Sequence, residues 1–237
     1  MQLIMGRNCL FEILKASPER LIEVYTSQKS GDALYDALIK EGIRLIDTPK
    51  KKLNHLVDSE SHQSYVAKVK PRPLIEVKDF LREEKDASLV LMLDSIFDPQ
   101  NLGAILRAAV CFGVDLVIYS KNRGADITPT VSKTSAGATE LIPISKVSNL
   151  AETQKAFQKA DYFAIGAEIS DKTQSLYDFQ FPEKTLLIMG SEGKGIQPLL
   201  SKKCDGHIYI PMLGNIDSLN VSQATAVLLS SYRRQYY

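Results

Sequence analysis

The run Leu89-Val90-Leu91-Met92-Leu93 constrains the fold most. Five consecutive apolar residues leave no polar face, so a strand made from them must be covered on both sides. That is the setting of a central parallel strand. A helix start follows: Asp98 is placed to cap and Pro99 takes the first helical position. Gly113 supplies the C-terminal stop. The same grammar then repeats. Residues 116–119, 141–144, 162–165, 185–189 and 207–210 read as strands. Thr128-Pro129 opens another helix, and helices are expected at 149–159, 198–203 and 221–235. Alternating β and α predicts an α/β domain with a parallel sheet covered on both faces.

The N-terminal part reads differently. Strands at 3–5, 21–25, 43–46 and 65–69 alternate with helices at 8–16, 31–41 and 50–57 in a small α/β unit. Lys70-Pro71-Arg72-Pro73 breaks this pattern, because proline lacks an N–H and disfavours helix in the residue before it. The expected organisation is a small domain over 1–72, a linker over 73–85 and a larger domain over 86–237.

Composition excludes several classes. A chain of 237 residues with 44% hydrophobic and 24% charged residues fits a globular protein with a sizeable core. No apolar run approaches the roughly 20 residues of a membrane helix. The N-terminus lacks a signal-peptide layout. Cys9, Cys111 and Cys204 are scattered and odd in number, which points to a reducing, cytoplasmic setting. His55, His62 and His207 lack metal spacing, so no metal site is expected. Net charge is +1, yet residues 1–75 carry 12 Lys and Arg against 9 Asp and Glu, while residues 86–237 carry 14 against 15. Lys50-Lys51-Lys52, with Lys68, Lys70 and Arg72, gives the small domain its basic character. Solvated surface is the ordinary meaning of such a run, and RNA contact is the functional one.

Three strand–loop–helix segments can carry chemistry. In the first, Asn101 lies in the first helical turn and Arg107 sits six residues on, about 240° around the axis. Small and apolar neighbours make Arg107 an isolated cation in a helix expected to be well buried. It either reaches the surface past them or meets an anion. The second is Met189-Gly190-Ser191-Glu192-Gly193-Lys194-Gly195, a glycine-rich turn after a buried strand. Its spacing fits neither a Walker A loop nor the dinucleotide fingerprint, and Glu192 would repel a phosphate. The third runs from Ile210 through Ser218, Leu219 and Asn220 into the last helix. Asn220 followed by Gln223 fits a capping box, and a helix mouth also offers free N–H groups to a ligand.

Together and in this order, the three segments resemble the three motifs of the SpoU (TrmH) family of RNA ribose 2′-O-methyltransferases. Lys133-Thr134-Ser135-Ala136-Gly137-Ala138 and Val147-Ser148-Asn149-Leu150-Ala151 add to the match, which covers most of 88–235. Gly6-Arg7-Asn8 and His62-Gln63 resemble the small substrate-binding domain of the branch that modifies a guanosine of 23S rRNA, with Ser64 standing where that branch usually has Gly. The resemblance implies a SPOUT fold with a C-terminal trefoil knot, S-adenosylmethionine as cofactor, an RNA partner and a homodimer. It implies Gly190, Ile210 and Leu219 as cofactor contacts, and Asn101, Arg107, Glu192, Ser218 and Asn220 as the catalytic group. Removing the proton of a free arginine at neutral pH costs about 8 kcal/mol, so a cationic role for Arg107 is the easier one to defend. Other RNA substrates, and a non-catalytic assembly factor on the same fold, are the competing readings.

Overall fold

A computed structural model describes residues 1–169, 173–191 and 193–236. From the N-terminus the chain forms β1 (Gln2–Met5), α1 (Arg7–Ala16), β2 (Leu21–Thr26), α2 (Ala33–Lys40), β3 (Leu45–Asp47), α3 (Lys50–Val57) and β4 (Tyr65–Val69). It continues through α4 (Val77–Phe80), β5 (Ser88–Leu93), α5 (Pro99–Cys111), β6 (Leu116–Ser120), α6 (Pro129–Thr134), β7 (Ile144–Val147) and α7 (Leu150–Gln158). The remainder is β8 (Phe163–Ala167), β9 (Thr173–Ser175), β10 (Lys184–Met189), α8 (Pro198–Ser201), β11 (Gly206–Tyr209) and α9 (Val221–Tyr236).

Two compact units emerge. The first combines Met1–Pro73 with Asp126–Leu141, and the second combines Leu74–Ala125 with Ile142–Tyr237. The first holds a four-stranded sheet in the order β1-β4-β2-β3, antiparallel except for β2 and β3. Leu10, Ile13, Leu34 and Leu38 of α1 and α2 cluster with Val24, Tyr65, Ala67 and Val69. Leu53 of α3 clusters with Met5 and Val66 from alternate sheet positions, so helices cover both faces. Residues 126–141, expected with the C-terminal part, pack in this unit instead. Cys9 Sγ donates to Ser132 O at 2.9 Å, and Arg20 pairs with Glu140 at 2.5 Å, both side chains nearly buried.

The second unit is built on a seven-stranded sheet ordered β7-β6-β5-β10-β8-β11-β9, with every pairing parallel. The apolar run of β5 lies centrally and is buried along its whole length, as its composition demands. Val90, Met92, Leu116, Ile118, Leu186 and Ile188 share one face, packed with Leu150 and Phe157 of α7 and Leu200 of α8. Helices α5 and α9 pack against each other. Both proline starts are capped: Asp98 Oδ1 accepts the Gln100 N–H at 2.9 Å, and Thr128 Oγ1 that of Val131 at 3.3 Å. No helix among the described residues is long and apolar enough to cross a membrane.

Three details differ from the sequence expectation. Strand β7 begins at Ile144, because Pro143 has no N–H to place in a ladder. The segment expected as linker contains α4, whose Phe80 is buried in the core of the second unit. Strand β9 is three residues long, too short to show a period.

Candidate functional site

The C-terminal ends of β8, β10 and β11 open into a pocket of about 500 Å³. Open parallel sheets place ligand crevices at this edge. Gly190, Ile210 and Leu219, the expected cofactor contacts, all line it, as does Ser218. Met189, Ile208, Val221 and Leu228 supply apolar wall, while Glu168, Ser191, Lys194 and the glycine backbone supply polar groups. The volume and mixed lining suit a nucleoside with a polar tail.

The glycine-rich turn closes on itself. Ser191 and Gly195 exchange two backbone hydrogen bonds, at 3.1 and 3.0 Å. A Cβ on Gly190 would lie 2.2 Å from the carbonyl carbon of Gly195. Glycine is therefore required at 190 for the loop to fold over, a reason distinct from ligand approach. Asp94, fully buried at the end of β5, ties down the exit of this loop. Its carboxylate accepts the Gln197 N–H at 2.8 Å and the Gln197 side-chain amide at 2.5 Å. Arg123 in turn donates to Gln197 Oε1.

At the neighbouring helix mouths, Asn220 Nδ2 donates to Asn101 Oδ1 at 3.0 Å. Asn220 Oδ1 accepts the Ser222 N–H at 2.8 Å and the Ser222 hydroxyl at 2.6 Å, which caps α9. Both ends of the Asn220 amide thus join the starts of α5 and α9, residues 119 apart in sequence. Ser218 sits two residues before this clasp, exposed on the pocket rim.

The structure does not bring every expected residue together. Arg107 is exposed on α5, reaching the surface past its neighbours, because the buried face of that helix is carried by Leu102, Ile105, Leu106 and Ala109. It does not line the pocket, and neither do Asn101 and Asn220. Glu192 lies outside the described residues.

Sequence reasoning passed over Glu168, which no spacing motif marks. It follows β8 directly and lines the pocket. An acidic residue just beyond a buried parallel strand was the available signal. Nearby, burial first, then Glu168 and Asp205, pushes the Cys204 thiol up to about 12, so it stays protonated and supplies no nucleophile. In the other unit, His62 explains its place in structural terms. Its Nδ1 accepts the Ser64 N–H at 2.9 Å and Nε2 faces Asn54 Oδ1 at 2.7 Å. Burial lowers its pKa and favours this neutral form.

A parallel sheet with a mixed apolar and polar pocket at its C-terminal edge, joined to a small α/β unit, defines a two-part α/β protein with a nucleoside-type site. Residues 88–230 match the model of the SpoU rRNA Methylase family, and residues 3–74 match that of RNA 2′-O ribose methyltransferase substrate binding. The chain belongs to the SpoU rRNA Methylase family. It is 34% identical to 23S rRNA (guanosine-2′-O-)-methyltransferase RlmB of Vibrio cholerae, over 99% of this chain and 97% of that protein. It is 36% identical to the protein of the same name in Photobacterium profundum, over 98% and 97%. The SpoU methyltransferase AviRb of Streptomyces viridochromogenes, solved in complex with the cofactor AdoMet, shares the fold. Its TM-score is 0.80 at 23% identity, over 99% of this chain and 90% of that one.

Proposed function

We propose that this protein transfers a methyl group from S-adenosylmethionine to the ribose 2′-oxygen of a guanosine in 23S rRNA. The observation that carries this reading is end-to-end similarity to proteins of that name, across both the methylase and the substrate-binding parts. A small domain matching a substrate-binding model favours rRNA over a substrate needing the methylase part alone.

The bound cofactor supplies an electrophilic methyl on a positively charged sulfonium. Gly190, Ile210 and Leu219 would hold it in the pocket they line. The 2′-hydroxyl is a poor nucleophile and must shed its proton as its oxygen takes the methyl, so groups that favour the alkoxide speed the step. Ser218, on the rim, orients that hydroxyl. Asn101 and Asn220 act as positioning residues, since their bond to each other fixes the loop that presents Ser218. Arg107 works as a cation, against a phosphate or the developing oxyanion, and Glu192 completes the group.

The chain acts as a homodimer in the cytoplasm. Leu213 is 98% and Ile216 76% exposed beside the pocket loop, apolar surface that a second copy would cover. The exposed Arg107 then meets RNA or the second subunit. All three cysteines are free, in keeping with a reducing compartment. A C-terminal trefoil knot is supported by the strand order, which seats β10 between β5 and β8 and β11 beyond β8 before α9 returns to α5. Along the chain the functional division falls at residues 1–72, 73–85 and 86–237, with 126–141 packing in the first compact unit and α4 in the second.

Methyl transfer from labelled S-adenosylmethionine to 23S rRNA tests the reaction. Arg107→Ala is expected to lose about 100-fold or more in turnover, as when an oxyanion donor is removed, while titration with S-adenosylhomocysteine stays near wild type. Normal turnover by this variant would remove Arg107 from the mechanism.

A further inference from the structure

Glu168 is held from behind and presented to the pocket. Ser201, at the end of α8, donates its hydroxyl to Oε1. His207 of β11 places Nδ1 3.3 Å from the same oxygen, close for an ion pair but off the hydrogen-bond line. The Glu168 N–H is anchored to Ile208 O at 3.1 Å. Its other oxygen, Oε2, lies against Gly195, 3.5 Å from where a Cβ would stand. The side chain keeps 18% of its surface exposed, and the residue belongs to the pocket wall. One oxygen is thus spent on the scaffold, while Oε2 lies beside Gly195, itself a residue of the pocket wall. A carboxylate accepts hydrogen bonds and donates none when ionised, so it selects a ligand that brings O–H or N–H groups.

We infer that Glu168 is a specificity-determining contact to the cofactor, its Oε2 accepting from the ribose hydroxyls of the adenosyl group. This rests on the reading of the pocket as the S-adenosylmethionine site. Vicinal hydroxyls offer paired donors to a carboxylate, and an acidic residue beyond a parallel strand takes ribose in dinucleotide folds generally. A Cβ at Gly195 would make only ordinary van der Waals contact with Oε2, and its φ of +64° is what favours glycine there. Ser201 and His207 pre-set the carboxylate, so little rotamer freedom is lost on binding.

Calorimetric titration of the full chain tests this with S-adenosylhomocysteine, its 2′- and 3′-deoxy analogues, and 5′-methylthioadenosine, which keeps the ribose but lacks the amino-acid tail. Glu168→Gln should weaken S-adenosylhomocysteine about tenfold or more, the scale of a hydrogen bond to a charged group. The same loss should appear with methylthioadenosine and vanish with the analogue lacking the recognised hydroxyl. The wild-type half needs no variant, since the unaltered protein should itself lose about tenfold when that hydroxyl is removed. Equal affinity of Glu168→Gln and wild type for S-adenosylhomocysteine overturns the inference. So does a loss that persists with both deoxy analogues but disappears with methylthioadenosine, which assigns the donor to the ammonium group. Failure of wild type to bind S-adenosylhomocysteine at all would instead remove the cofactor reading of the pocket.

Discussion

Ser64 shows how one residue can depart from a pattern and leave its cost in the backbone. Its φ is +66°, in the left-handed region, and it follows Gln63 at +54°. Side chains there cost about 1–2 kcal/mol, which is why glycine is the natural occupant. The turn holds through main-chain groups: the Ser64 N–H goes to His62, and its carbonyl accepts the Thr26 hydroxyl at 2.9 Å. No bond of the turn is therefore lost on removing the side chain. Relief of strain and the greater freedom of glycine in the unfolded chain partly cancel. Ser64→Gly is expected to raise stability by up to about 1 kcal/mol by this balance. Urea unfolding measures it, and a loss of more than about 1 kcal/mol would refute the strain account. Some residues could be placed from the sequence and others could not. Ser218, Gly190, Ile210 and Leu219 sat in motifs and do line one pocket. The Asn101–Asn220 bond spans 119 residues, and no local spacing encodes it. For Arg107 the sequence left surface and anion contact both open; it stands exposed, since helical periodicity puts position 107 off the face formed by Leu102, Ile105, Leu106 and Ala109.

At the scale of elements, the glycine-rich turn after β10 is the part most intolerant of change. Ala at 190 would drive a Cβ into the Gly195 backbone, which is no flexible side chain that can move aside. Overpacking of this kind costs about 1–3 kcal/mol. Here the backbone that must yield is also pocket wall. Gly190→Ala should lower the melting temperature and weaken S-adenosylhomocysteine binding by more than about tenfold, if the same free energy is drawn from the bound loop. Unaltered melting and binding would show that the loop opens without consequence. The strands and capped helices around this turn were legible because continuous apolar runs, Asp98-Pro99 and Thr128-Pro129 act locally. Strand β9 was not, since its three residues pair with β11 as an outcome of tertiary placement rather than of pattern.

For the whole molecule, chain order and compact units do not coincide. The chain passes between the two units at residues 73–74, 125–126 and 141–142. Residues 126–141 complete the first unit, where Val131, Ser132, Ala138 and Thr139 are buried. Sequence reading assigns a segment to its neighbours along the chain, so this return was invisible to it. A 74–237 fragment is expected to bind S-adenosylhomocysteine, because every residue lining the pocket lies in the second unit. The same fragment should lose amide protection over 126–141, with Glu140 deprived of Arg20. Hydrogen exchange of fragment and full chain measures this, and equal protection would mean that 126–141 folds without the first unit.

The proposed reaction places one methyl group on one class of nucleotide. Mapping 2′-O-methylation across ribosomal and transfer RNA, in cells with and without this protein, tests it most directly. A single guanosine of 23S rRNA is expected to lose its mark when the protein is absent and to regain it with wild type but not with Arg107→Ala. An unchanged map, or a mark lost from transfer RNA instead, would contradict it.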